Sequence, residues 1–309
     1  MSIFFLKKAM KRFICSLLSL LFITISAQAQ LLYKITGNGL SKPSYIMGTY
    51  HLANVQFVDS VKGLKDALNQ CEQVYGELDM TQLSKDMSAA LKMQQYMTMP
   101  TGETLDKYLT SEQLTRLNAF LKQYMGADLN EPLMASVKQM KPAALNTTLQ
   151  VLLFAKEEKV YNPQEQFDTY FQKVAASQQK HVGGLETIDY QMNVLFGAPL
   201  PRQAEQLMCT IDNIDYNLNI VKRTIKAYYA QDMAAIEKIS EEKMHNSCDA
   251  TPAEEDALIY TRNKNWAEAL PAIMKDKSTF VAVGCLHLPG KRGLLNLLKQ
   301  AHYTVEAVK

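Results

Sequence analysis

The chain has 309 residues, 47% of them hydrophobic and 9% aromatic, and a formal net charge of +2. That is enough apolar material for one large domain or for a core carrying an inserted subdomain, and no tract is of low complexity. The near-balanced charge gives no electrostatic case for nucleic-acid binding.

The first 29 residues read as a signal peptide. Lys7, Lys8, Lys11 and Arg12 form a basic region, Phe13 to Ile25 an apolar one, and Ala27-Gln28-Ala29 a small-x-small cleavage site. The apolar run is short for a membrane span, so cleavage near Ala29 is expected, with an uncleaved anchor as the alternative. Export to the periplasm or the exterior follows. Losing four basic residues takes the formal charge from +2 to −2. No later apolar stretch is long enough to cross a membrane, so residues 30–309 are expected to form one domain without a stable membrane span.

Leu31 to Thr36, a Gly-Asn-Gly turn and the run from Ser44 read as a hairpin. The second strand leads into SYIMGTYHL, an apolar run, Gly48 and then His51 three residues later. Val61 to Gln70 places Val61, Leu64, Ala67 and Leu68 on one helical face. Gln73 to Leu78 reads as a strand, and alternation would put Tyr75, Glu77 and Asp79 on one side of it. From about 81 to 180 a helical insertion follows. Its helix starts are marked by Ser84, the turn at 101–104, Thr110 and Asn162-Pro163. Its methionines, such as Met93, Met97 and Met125, suit helix packing or an adaptable wall for an apolar substrate.

HVGGLE, His181 to Glu186, is a short strand ending in an acid. A second helical block covers about 188–275. Thr187 and Asp189 open its first helix, and Pro199 and Pro201 are expected to end it. On the helix from Leu258 to Leu270, Ile259, Arg262 and Trp266 share a face, which would aim Arg262 inward; an isolated arginine is by default at the surface. Thr279 to Leu288, TFVAVGCLHL, then repeats the earlier pattern with Gly284 and His287. A helix from Lys291 to Gln300 and a strand from Tyr303 to Val308 complete it.

The chain thus contains two strand-Gly-x-x-His-helix-strand units, one near each end. They are expected to be halves of one mixed, largely parallel α/β sheet with large helical insertions. Loops after parallel strands lie at the strands' carboxyl ends, where such sheets bind ligands, so both histidines should share one rim. Each glycine would supply positive φ or close backbone approach. Glu77 and Glu186 are further rim candidates. Among the cysteines of an exported chain, Cys209 and Cys248 could bridge two helices in an oxidising compartment. Cys71 and Cys285 suit apolar packing, although a Cys285 thiolate paired with His287 is conceivable.

GTYHL at 48–52, GELD at 76–79, HVGGLET at 181–187, TRN at 261–263 and VGCLHLPGKRGLLNLLKQAHYTV at 283–305 resemble the TraB/GumN family. That family includes the Wnt-inactivating Tiki proteases, within a wider set containing erythromycin esterase and ChaN-like proteins. The resemblance implies an α/β fold and a site made of His51, His287 and Glu77, with a divalent ion such as Mn²⁺, Co²⁺ or Zn²⁺ as cofactor. It does not carry over the partners of the membrane-anchored Tiki proteins.

Two imidazoles and a carboxylate can hold one divalent ion and leave positions open, which suits a metal-dependent, peptidase-like hydrolase acting on a peptide or small molecule. Glu77 would be a ligand or the base, Glu186 would take the other role, and Arg262 would steady an oxyanion or a substrate carboxylate. The rivals are a metal-independent esterase or amidase using a histidine base, and a haem- or metal-binding module without catalysis.

Overall fold

Residues 30–158, 161–162 and 165–309 are described in the computed structural model. Residues 1–29, expected to be a signal peptide, and Pro163 of an expected helix start lie outside them. Strands β1 (Leu32–Gly37), β2 (Ser44–Thr49), β3 (Gln73–Gly76), β4 (His181–Gly184), β5 (Thr279–Gly284) and β6 (Tyr303–Ala307) build one sheet in the order β4-β3-β5-β2-β1-β6. β1 is antiparallel to both β2 and β6, and every other pairing is parallel. The hairpin, the mixed sheet and the union of the two repeated units are therefore as the sequence implies. β2 and β5 lie side by side, with Thr49 opposite Gly284.

β5 is central, and Phe280, Val281, Ala282 and Val283 are all buried because helices cover both of its faces. Burying each large apolar side chain there contributes about 1.5–3 kcal/mol. The helices are α1 (Leu64–Gln70), α2 (Met87–Met97), α3 (Ser111–Met125), α4 (Pro142–Glu157), α5 (Phe167–Ser177), α6 (Ile188–Phe196), α7 (Leu200–Asp212), α8 (Ile214–Tyr229), α9 (Met233–Ser240), α10 (Thr261–Lys275) and α11 (Leu294–Gln300), besides shorter turns. Phe167 and Phe171 of α5 and Tyr228 of α8 join the sheet core, while a second core unites α3, α4 and α7 through Leu117, Leu121, Leu149, Leu153 and Leu207. Among the described residues, no helix is long and apolar enough to cross a membrane.

Several local expectations differ. α1 begins at Leu64, because Gly63 at φ 75° takes the left-handed turn before it and leaves Val61 outside the helix. Ser84 closes a short turn, and Asp86 caps α2 instead by accepting from the Ser88 N–H. Pro199 and Pro201 do not end α6, which stops at Gly197; they start α7, where a missing amide N–H costs nothing. Met93 and Met97 pack against Met192 and Phe196, and a groove of about 450 Å³ runs beside them past Ser136 and Met140. A disulfide joins Cys209 of α7 to Cys248, 39 residues on. In chain-entropy terms, closing a loop of that length contributes about 4 kcal/mol.

Candidate active site

The carboxyl ends of the parallel strands finish level with one another, since Thr49 pairs with Gly284, and Gly76 with both Ala282 and Gly184. His51, Glu77, Glu186 and His287 all follow within three residues of those ends, and side-chain contacts bring them together. Gly284 donates its backbone N–H to Glu77 Oε1 at 2.8 Å, and a Cβ on Gly284 would stand 3.3 Å from that oxygen and 3.7 Å from His51 Nε2. The glycine is there for close approach. Neither Gly48 nor Gly284 has positive φ, and a Cβ on Gly48 would meet Leu288 Cδ1 at 2.8 Å.

β3 ends before Glu77, so simple alternation fails there. Asp79 turns away to cap the next helical turn, accepting from the Thr81 and Gln82 N–H groups, while Glu77 turns into the site. Its Oε2 accepts from Arg262 Nη2 at 2.5 Å and from Gln191 Nε2 at 2.9 Å.

Arg262 is buried, at 4% exposure, and is not the surface cation that an isolated arginine would be by default. A π-helical turn, Asp256–Tyr260, precedes α10, and Arg262 Nη1 donates to the Leu258 carbonyl in that turn at 3.0 Å. Nη1 also donates to His287 Nε2 at 3.1 Å, Nη2 reaches Glu77 and Glu186, and Nε donates to Glu186 at 3.0 Å. All five guanidinium N–H bonds therefore have partners, a pattern lysine cannot copy. Trp266 Nε1 donates to Glu186 Oε2 at 3.2 Å, so that carboxylate is taken up by the arginine and the indole.

The two histidines have unlike surroundings. His287 sits in a 3₁₀ turn, Cys285–His287, and is buried beside Trp266, with ring centroids 4.5 Å apart. Asn263 donates its amide to the Arg292 carbonyl, so its Oδ1 faces His287 and accepts from Nδ1 at 2.7 Å. Nε2 is left as an acceptor toward Arg262. Burial lowers the pKa of this ring to about 3, and it is neutral. His51 lies at the mouth with 61% of its side chain exposed, and its Nδ1 meets Asp168 Oδ2. The Asp168 charge raises its pKa to about 9, although water at the open face screens part of that attraction. Burial alone would raise the Glu77 pKa, but His51, His287, Arg262 and the Gly284 N–H together hold it down to about 2. With His287 neutral, the standing charges in that sum are Arg262 and His51.

Cys285, at the position matching Thr49, is buried, and burial pushes its thiol up to about 12, which leaves no thiolate for a nucleophile. Asp168, Asn263 and Gln191 were not singled out by sequence reasoning as site residues. Asp168 and Gln191 lie on helices with no local motif, whereas Asn263 carried a signal as the last residue of the TRN run.

Fold and site together define an α/β protein whose rim gathers two histidines, two glutamates and a buried arginine. The chain belongs to the TraB/PrgY/gumN family, whose model matches residues 31–307. It is similar to a protein from Nematostella vectensis described as "Metalloprotease TIKI homolog", at 22% identity over 86% of this chain and 65% of that protein. The chain thus spans a little under two thirds of that relative's length. No solved structure matches significantly.

Proposed function

We propose that this protein is an exported, metal-dependent hydrolase of peptide or related amide bonds. The observation that carries the reading is the orientation of the two imidazoles. Each Nδ1 is held by an oxygen from outside its own motif, Asp168 for His51 and Asn263 for His287, and Glu77 and both rings converge on Gly284. Metal-binding histidines are oriented by outer partners of this kind.

His51, His287 and Glu77 fit a divalent ion in donor type. Among the described residues no three His, Cys, Asp or Glu side chains already stand at metal-holding spacing, and Arg262 occupies the His287 lone pair. Binding an ion therefore requires Arg262 to release Nε2. When bound, the ion would polarise the scissile carbonyl. The chain's own residues orient the rest. Arg262 keeps Glu77 ionised, Glu186, itself held by Trp266, fixes Arg262, and the Gly284 N–H fixes Glu77 Oε1; with its five N–H bonds taken inside the protein, Arg262 orders the site and is not the oxyanion donor expected from the sequence. The relative's description as a metalloprotease supports the reaction class, and the basic-apolar leader with the Cys209–Cys248 disulfide supports export.

The His51–Asp168 pair favours a second reading, metal-independent amide or ester hydrolysis in which His51 Nε2 passes the proton. A peptide and ester library with added Mn²⁺, Co²⁺ or Zn²⁺, or with chelator, tests both. Cleavage that needs the ion and is lost in Glu77→Gln supports the first reading, and chelator-resistant cleavage lost in His51→Ala supports the second. No cleavage of any member contradicts hydrolysis of these bonds.

A further inference from the structure

We infer that Asp168 is the positioning residue of the site, fixing the tautomer and direction of His51 from a helix that sequence reasoning treats as insertion. The inference rests on the proposed role of His51 Nε2 but is tested apart from it. A carboxylate only accepts hydrogen bonds, so His51 Nδ1, which meets Asp168 Oδ2, carries the hydrogen, and once the ring is neutral Nε2 is the nitrogen with the lone pair, facing Gly284. The other oxygen, Oδ1, accepts from the Thr49 hydroxyl, which stops the carboxylate from rotating away.

The helix that carries Asp168 is itself anchored. Phe167 packs against Phe57 and Tyr228, and Phe171 against Phe280 of β5. One turn beyond Asp168, the buried Gln172 donates to the Leu78 carbonyl at 2.8 Å and accepts from the Met80 N–H at 2.8 Å. It thereby grips the segment that carries Glu77. Asp168 and Gln172, four residues apart on one face of α5, set His51 and Glu77 in one frame.

Asp168→Asn provides the sharpest test. With the Thr49 hydroxyl still facing the Asn oxygen, the amide NH₂ turns to His51 Nδ1 and forces the hydrogen of the neutral ring onto Nε2, the wrong tautomer. The full chain is labelled with ¹⁵N-histidine, and the His51 signal is assigned among the 5 histidines by its loss in His51→Gln. Spectra are taken above the ring's titration. The expected result is Nδ1–H in wild type, Nε2–H in Asp168→Asn and loss of the Nδ1–H bias in Asp168→Ala, with the His287 signals unmoved. An unchanged His51 tautomer in both variants overturns the inference. A parallel Mn²⁺ or Zn²⁺ titration is expected to weaken about 10–100-fold in Asp168→Asn. If wild type binds neither ion, the metal reading fails while the tautomer result still decides the role of Asp168.

Discussion

Glu77 Oε1 accepts the backbone N–H of Gly284 at 2.8 Å, so the carboxylate of the first repeated unit is held by the glycine of the second. The bond links positions 207 residues apart and explains why that glycine carries no side chain. Gly284→Ala would place a methyl group 3.3 Å from the oxygen, closer than an ordinary carbon-oxygen contact. The expected outcome is a folded protein in which Glu77 is displaced and any hydrolytic activity falls at least tenfold. Circular dichroism and the library assay check the two halves of that statement.

Arg262→Gln should cost far more stability than a surface change. Removing the cation leaves Glu77 and Glu186 buried and uncompensated, and breaking such a pair costs about 3–5 kcal/mol. Arg262→Lys should recover only part of that, because it cannot serve all five acceptors. Urea unfolding of the three proteins measures both differences.

Stability should peak near pH 6.5, because the shifted groups act in opposite directions. The His287 pKa is lowered in the fold, so its contribution is complete above its ordinary 6.5 and is lost as pH falls through about 3. Glu77 adds an acid limb of the same sign, complete above its ordinary 4.5 and lost as pH falls through about 2. The His51 pKa is raised, so its contribution is complete below 6.5 and is lost as pH rises through about 9. His51→Ala should flatten the alkaline limb and leave the acid limb, as read from urea midpoints across pH.

Much of the site was legible because strand ends have a simple grammar. A glycine and a histidine after each of two similar apolar runs implied neighbouring parallel strands, and Glu77 and Glu186 were visible as acids at the ends of two more. The unlike environments of His51 and His287 were not legible. The same Gly-x-x-His spacing precedes an open turn in one unit and a buried 3₁₀ turn in the other, and tertiary packing decides between them. Asp168 was hidden for a related reason. It is one acid on an amphipathic helix, and only the packing of Phe167 and Phe171 against the sheet core aims it at His51. The inward turn of Arg262 depends on a π-helical turn that no spacing of apolar residues signals.

Reducing the Cys209–Cys248 disulfide should lower stability by about 4 kcal/mol while leaving the rim intact, since the bond closes a loop beside α7. Urea midpoints with and without reductant give the first quantity. The ¹⁵N signals of His51 and His287, unchanged by the reductant, report the second.

A metal site built from His51, His287 and Glu77 is tested by metal stoichiometry in the purified protein, prepared without chelator and titrated with Mn²⁺, Co²⁺ and Zn²⁺ beside His51→Ala, His287→Ala and Glu77→Gln. About one equivalent of ion is expected in wild type and loss of binding in each variant, with the fold retained by circular dichroism. Absence of binding in wild type with all three ions, or undiminished binding in the variants, would contradict it.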